Sequence, residues 1–242
     1  MKYFIAILLT AAIGQTFAQN QLYQVKLMQA APGKLLTLID KAKEDLARYE
    51  AYGIGKPYLM RHSQGDKWDL LLIYPISSLE NFFSTAQTNR LSESNLLRKT
   101  YEDPIFDLIA FQEEAVFAGP DVSDFGESMD QFNFYHVEIF TALAGAQESL
   151  RKEREMENVY LEALNRQPNF IFTRVYGASW DIFTIGCYQS LLDYAQSGDL
   201  PAQKENEAAV EAGFTGSHTI GSYLREFLRE HHDTLAGAVR PD

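Results

Sequence analysis

Polar and apolar residues alternate near the start of the chain. Tyr23, Val25 and Leu27 interleave with Gln24, Lys26 and Met28, the two-residue period of a strand with one more apolar face. Pro32-Gly33 breaks the run. The period then changes to three and four. Leu35, Ile39, Ala42, Leu46 and Tyr49 form one stripe, with Lys41, Lys43, Glu44 and Arg48 opposite, which predicts an amphipathic helix ended by Gly53 and Gly55. A second strand is expected over residues 56–62, a tight connection at Gly65-Asp66, and a third strand over 68–74. That third strand is apolar on both faces, with Trp68 beside Leu70, Leu72 and Tyr74 on one and Asp69 beside Leu71 and Ile73 on the other, so both faces should be covered. Ser78 has the character of an N-cap.

The same succession follows in the second half. A strand is expected over 132–140, and a strongly charged helix carrying Leu150, Val159, Leu161 and Leu164 over 147–165. A hairpin over 169–176 and 180–187, a helix from Ser190 and a closing helix over 223–236 complete it. Residues 106–117 suit either a fourth strand or a helix. The two halves align without gaps at an offset of 112. Gly65-Asp66-Lys67-Trp68-Asp69 meets Gly177-Ala178-Ser179-Trp180-Asp181, and these hold the chain's 2 tryptophans. Tyr23 meets Tyr135, Val25 meets Val137, Gly33 meets Gly145, Leu38 meets Leu150, Ile73 meets Ile185 and Ser78 meets Ser190. Farther on, residues 111–114 align with 230–233 at an offset of 119, which places an insertion in the second half around 197–217. A one-residue slip would turn every strand side chain to the opposite face, so a shared register implies the same buried faces in both copies. Segments 23–82 and 135–194 should therefore superpose, with Trp68 on Trp180.

Two β-α-β-β-α units in tandem, each with a hairpin of apolar strands, resemble the dimeric α+β barrel superfamily. The resemblance is one of topology and covers most of the chain beyond its first residues. It implies an α+β fold of two tandem ferredoxin-like repeats, 19–125 and 126–242, with antiparallel sheets packed together and helices outside. It also implies a range of activities: cofactor-free monooxygenases and isomerases, and haem proteins of the chlorite dismutase and dye-decolorising peroxidase type.

The first residues change the picture of where the protein works. Lys2, an apolar run over 3–13 and small residues at Thr16 and Ala18 have the layout of a secretory signal cut before Gln19. The run is shorter than the roughly 20 residues of a membrane span, so the expected product is an exported, periplasmic or secreted, soluble protein. Cutting 18 of the 242 residues leaves 224 and removes one base, Lys2, taking the formal charge from −12 to −13. Such acidity repels phosphate backbones and argues against nucleic acid as a partner. The single cysteine, Cys187, excludes an internal disulfide, so a packed core must stabilise the fold.

Candidate chemistry is sparse: no phosphate loop, nucleophile elbow or cysteine zinc motif is present. Asp69 and Asp181 suit either a base facing an apolar cavity or a cap on the hairpin turn, and their presence in both copies favours the cap. His62 with Arg61, and His136 with Tyr135, are the candidate catalytic residues, because His can serve as acid, base or ligand and these strands could face a common cleft. His231-His232-Asp233 resembles a metal motif, but on a helix adjacent residues point about 100° apart and do not chelate one ion. No metal is therefore assigned, and a haem would need an axial ligand of the His231 or His232 kind. The abundant aromatics, Phe134, Phe140, Phe170, Phe172, Tyr176 and Phe183 among them, suit a large core or a pocket for a flat apolar ligand. These features together point to a small-molecule-binding or accessory protein, with a small-molecule enzyme as the alternative; no cofactor is specified. Amino-terminal sequencing of the exported protein is expected to begin at Gln19; a chain still starting at Met1 would refute the signal.

Overall fold

A computed structural model describes residues 21–97 and 103–241; the expected export signal lies outside them. Eight antiparallel strands close into one barrel. The first half contributes β1 (Gln21–Ala30), β2 (Tyr58–Gln64), β3 (Leu70–Ile76) and β4 (Ile109–Gly119). The second contributes β5 (Phe134–Ala142), β6 (Phe170–Gly177), β7 (Ile182–Tyr188) and β8 (Leu228–Ala238). Around the barrel the order is β1-β3-β2-β8-β5-β7-β6-β4, so each half runs 4-1-3-2 in its own numbering. The expectation of two sheets packed against each other is corrected. The halves are joined edge to edge by β2–β8 and β4–β6 ladders into a single closed sheet. Closure removes every free strand edge, which packing two open sheets would leave exposed.

The registers agree from half to half. Across β1–β4, Lys26 lies opposite Glu114, and across β5–β8, Glu138 lies opposite Asp233. A bulge falls at Gln29/Ala30 in one ladder and at Thr141/Ala142 in the other. Gly65 (φ 122°) and Gly177 (φ 80°) stand at the two hairpin ends, each pressed on the other half's last strand. A Cβ at Gly65 would come 2.1 Å from the carbonyl oxygen of Asp233, and one at Gly177 2.8 Å from that of Glu114. Only glycine combines that φ with that approach.

Inward side chains alternate along each strand and fill the interior. Tyr23, Val25 and Leu27 from β1, Leu71 and Ile73 from β3, Phe117 from β4, Tyr135 and Val137 from β5, and Phe172, Phe183 and Ile185 from the second hairpin form one cluster with Trp68 and Trp180. An eight-stranded barrel has an interior just wide enough for its side chains to fill. One end is stoppered by a helix that the hydrophobic pattern did not reveal, α4 (Val122–Gln131), which spans the division drawn at residue 125. Its Phe125 is fully buried and meets Tyr23, Tyr58, Phe170 and Phe172 edge-on at 5.0–5.8 Å.

The outer faces carry α1 (Leu35–Ala51) on the first half and α5 (Gln147–Ala163) on the second. Leu38, Ile39, Ala42 and Leu46 of α1 pack on Met28, Leu59, Leu70 and Leu72, as the helical stripe predicts. On α5 the expectation is only partly met. Leu150 and Leu161 are buried but Val159 is exposed, and the inward places between are taken by Glu153 and Arg154. The predicted closing helix over 223–236 is also corrected. The helix stops at Arg225, and Leu228–Ala238 is β8, which fills the gap between β2 and β5. Residues 106–117 resolve in favour of strand β4 after a short 3-10 turn at Pro104–Leu108. No helix among the described residues is long and apolar enough to cross a membrane.

Phe125→Ala should destabilise the fold by about 3–5 kcal/mol, the cost of emptying a packed aromatic site. Urea denaturation checks this, and a loss below about 1 kcal/mol would show that α4 is not part of the core.

Candidate functional site

The paired Trp-Asp motifs are structural. Asp69 Oδ2 accepts from the Ala30 amide at 2.7 Å while its own amide donates to the Met28 carbonyl at 2.8 Å. Asp181 repeats both contacts with Ala142 and Phe140, at 2.9 and 2.8 Å, and adds Arg174. Each carboxylate thus pins the start of a hairpin strand to the end of β1 or β5, where the bulge leaves an amide to satisfy. Trp68 lies inside the barrel with Leu71 and Ile73, not on the helix side with Leu70 and Leu72. The strand begins at Leu70, so its alternation does not extend back through the turn to Trp68. Trp180 Nε1 donates to Glu113 Oε2 at 3.2 Å.

The four candidate catalytic residues do not share a cleft. Neighbours on a strand face opposite ways. Tyr135 is wholly inside, donating its hydroxyl to the Phe132 carbonyl at 2.8 Å, while His136 stands outside. Burial raises the Tyr135 phenol well above its ordinary pKa, so it stays protonated. On β2 the order is reversed. Arg61 is exposed, and His62 turns toward Trp68, ring centres 5.8 Å apart, its Nε2 buried without a partner among the described residues. The wall of the barrel separates His62 from His136. Cys187 behaves as a small buried apolar residue, its thiol pushed up to about 12 by burial.

With the barrel filled, the larger clefts lie on the outside, between sheet and helices. The first, about 330 Å³, opens between α1 and the outer face of β1, β3 and β4. Met28, Leu38, Ala42, Leu46 and Leu72 make its apolar lining, and Lys26, Tyr49, Tyr74 and Glu114 bring polar atoms to it. Lys26 Nζ sits 2.6 Å from Glu114 Oε1, and Gln24 Nε2 donates to Glu114 Oε2 at 2.9 Å. The Tyr74 ring lies 5.5 Å from that of Tyr49. Its phenol end is enclosed, and burial, with Tyr49 beside it, raises its pKa well above the usual value. It therefore remains a proton donor at neutral pH.

The second cleft, about 360 Å³, occupies the corresponding outer place under α5 and is polar. His136, Glu138, Glu157, Arg166, Tyr188 and Tyr194 line it. Glu138 is buried, accepts from Thr184 Oγ1 at 2.9 Å, and lies 3.4 Å from His231 Nε2. Burial alone would raise its pKa. His231, Arg154 and His136 outweigh that and hold the carboxyl down to about 2. His136 Nε2 lies 3.0 Å from Asp233 Oδ1. Burial disfavours its cation, but Asp233 and Glu138 prevail and raise its pKa. Beneath them Arg154 bridges Glu153 and Glu157, at 2.6 Å each. Among the described residues, His136, Glu138 and Asp233 form the one group of His, Cys, Asp and Glu side chains, three or more strong, with all ligating atoms within 4.8 Å of one another. Asp233 belongs to this cluster, and His231 lies 3.6 Å from it, only because β8 is a strand, in which residues two apart share a face. The helical reading concealed that, and a search for alternating polar pairs opposite His136 would have found it.

No protein-family model matches the chain, and no curated protein matches it in sequence. Among solved structures it is similar to an anthrone oxidase-like protein, with 8% identity over 92% of this chain and 93% of that one and a TM-score of 0.64. It is also similar to a candidate monooxygenase from Fusobacterium nucleatum, with 7% identity over 92% and 94% of the chains and a TM-score of 0.50. The likeness is one of fold.

The Glu153 carboxyl carries a pH signature. Burial, aided by Glu157 and opposed by Arg154, pushes it up to about 7 from an ordinary 4.5. The folded state then holds a proton that the unfolded state releases, so stability falls as pH rises from about 4.5 to 7. Glu153→Gln removes that dependence. Relative to the parent it should gain on the order of 1–3 kcal/mol between pH 5 and pH 8. Denaturation at both pH values measures this; a difference independent of pH would show that Glu153 is ionised throughout.

Proposed function

We propose that the protein binds a small, flat, oxygen-bearing aromatic molecule in the cleft beneath α1. The observation that carries this is the convergence of the Lys26 ammonium, the Tyr74 phenol and the Glu114 carboxylate on a cleft of about 330 Å³ whose walls mix aliphatic and polar side chains. Ligand pockets combine apolar walls with a few placed polar groups. The cleft volume suits a molecule of two or three fused rings. Lys26 and Tyr74 can donate to a phenolate or carbonyl oxygen, and Leu38, Leu46 and Leu72 cover the ring faces. The similarity of fold to an anthrone oxidase-like protein supports an aromatic ketone or phenol as the first compound to try.

A second reading, turnover, draws on Glu114. A carboxylate beside bound anthrone can take a proton from its ring CH2, and the resulting delocalised anion can react directly with O2, without a cofactor. For anthrone the balance is one O2 consumed, with anthraquinone and one water formed. We further propose that the chain is exported after loss of residues 1–18 and that its halves, 19–125 and 126–242, descend from one duplicated unit. The common 4-1-3-2 strand order, the matched Lys26/Glu114 and Glu138/Asp233 rungs and the repeated Asp caps support the duplication.

The test is titration of the purified chain with anthrone and with 2-naphthol, followed by tryptophan fluorescence and calorimetry. Saturable binding is expected. Ala42→Phe, which fills the cleft from α1, should abolish it, and Tyr74→Phe should weaken it about tenfold, the worth of one buried hydrogen bond. Binding of neither compound, or binding unaffected by both substitutions, would sink the proposal. Oxygen uptake with anthrone decides between binding and turnover.

A further inference from the structure

The second cleft differs from the first in one chemical respect. On the outer face of the first half, the rung Leu72–Lys26–Glu114 places an ammonium against a carboxylate at 2.6 Å. On the same face of the second half, the rung is Thr184–Glu138–Asp233. The built-in cation is gone, and a second carboxylate stands in its place. Two imidazoles join them. His136 occupies the position that Gln24 holds in the first ladder, and His231 that of Gln112. The ligating atoms of His136, Glu138 and Asp233 already lie within 4.8 Å of one another, and His231 stands beside two of them. His136 Nε2 to Asp233 Oδ1 is 3.0 Å, His231 Nε2 to Glu138 Oε1 is 3.4 Å, and His231 Nε2 to Asp233 Oδ1 is 3.6 Å. Four ligands around one ion at roughly 2.0–2.1 Å in tetrahedral array are separated by about 3.3 Å.

The geometry points to a binding site for a divalent first-row transition metal, such as Zn2+, formed by His136, Glu138 and Asp233, with His231 moving in as the fourth ligand. The surroundings are those of a supported site. Glu138 is 93% buried (7% exposed), and its other oxygen accepts from Thr184, leaving Oε1 turned to the histidines. The His231 ring is stacked on Phe140, centres 4.6 Å apart and 5° from parallel, which fixes its orientation. Such outer contacts orient ligands and sharpen affinity. The nearby Arg154 cation, 3.8 Å from Glu138 Oε2, is itself paired with Glu153 and Glu157. A mixed set of two imidazoles and two carboxylates favours Zn2+ or a neighbouring transition ion over Mg2+ or Ca2+, which prefer oxygen alone. His136 and Glu138 also line the 360 Å³ cleft, so an ion held there is reachable by a small ligand. The site is separate from the cleft beneath α1, and neither proposal depends on the other.

The test uses the full-length mature chain, without a polyhistidine tag, stripped with chelator and titrated with Zn2+ and Co2+. One equivalent of Zn2+ should bind by calorimetry and raise the melting temperature, and Co2+ should give the visible absorption of a four-coordinate site. His136→Ala and the isosteric Asp233→Asn should each lower affinity by roughly 100-fold or more, beyond the loss typical of a second-shell change. His232→Ala is the control. It neighbours two ligands in sequence but faces the other way, with Nδ1 3.6 Å from Asp66 Oδ1, and should bind as the parent does. Circular dichroism confirms that each variant is folded; Asp233 is exposed, so its substitution spares the core. Failure to bind either ion, binding that survives both ligand substitutions, or an equal loss in His232→Ala would overturn the assignment.

Discussion

Closure of the eight-stranded sheet within one chain is the constraint from which the other features follow. A closed ladder satisfies every edge, but it also sets the diameter, and at eight strands that diameter admits side chains and little else. The interior is taken by Trp68, Tyr23, Tyr135, Phe117, Phe172 and Phe183, each less than 2% exposed. Each such burial is worth about 1.5–3 kcal/mol relative to exposure, so hollowing the barrel for a ligand would remove the core. The clefts beneath α1 and α5 lie outward, in the layer between sheet and helices. There side chains vary at less cost to the fold.

The two seams explain residues that first look functional. Where β2 meets β8 and β4 meets β6, a hairpin end from one half presses on the last strand of the other. Gly65 lies against Asp233 and Gly177 against Glu114. The acidic residue four positions on in each motif, Asp69 or Asp181, fastens the same hairpin to the bulged end of its own first strand. A Gly-x-x-Trp-Asp motif occurring twice is therefore accounted for by closure: glycine for the approach, tryptophan for the barrel end, aspartate for the orphan amide.

Where burial was one-sided, the pattern along the chain gave the elements away. Tyr23, Val25 and Leu27 predicted β1, the stripe from Leu35 to Leu46 predicted α1, and the doubly apolar run before Tyr74 predicted a strand covered on both faces. The failures share a cause. In β8 the outward residues His231 and Asp233 are polar and lie beside Glu138 and His136, and His232 is polar because it lies at the barrel mouth. A strand polar on both faces has no two-residue period, so Arg229–Asp233 looks like a solvated helix face. The charged α5 misled in the same way, since Glu153 and Arg154 pair with each other beneath the helix rather than facing water. Once β8 is a strand, the spacing that forbids adjacent histidines from sharing an ion brings His231 and Asp233, two apart, to one face. The catalytic pairings proposed from sequence met the converse problem. His62 and His136 sit at polar positions of similar strands, but one turns inward and the other outward, and periodicity cannot place two strands relative to each other without the barrel's register.

A barrel assembled from two identical chains must present the same cleft twice, since symmetry copies every substitution to both sides. Closing it within one polypeptide lifts that restriction. The positions closure needs, the glycines, the aspartate caps and the inward aromatics, are still under the same demand in both halves, and they match. The outward rungs are under no such demand, and they differ: Lys26 and Leu72 against Glu138 and Thr184, Ala42 against Arg154. One cleft is walled by aliphatic and tyrosyl side chains with an ion-paired ammonium among them, and the other brings His136 and Glu138 beside Arg166 and Glu157. The half-buried Lys26 beside Glu114 compensates that charge permanently. Of the two carboxylates at the matching rung, Glu138 has Arg154 3.8 Å away, and the exposed Asp233 is left to His136 or to an ion. The same scaffold thus holds one half chemically closed and leaves the other open to its surroundings.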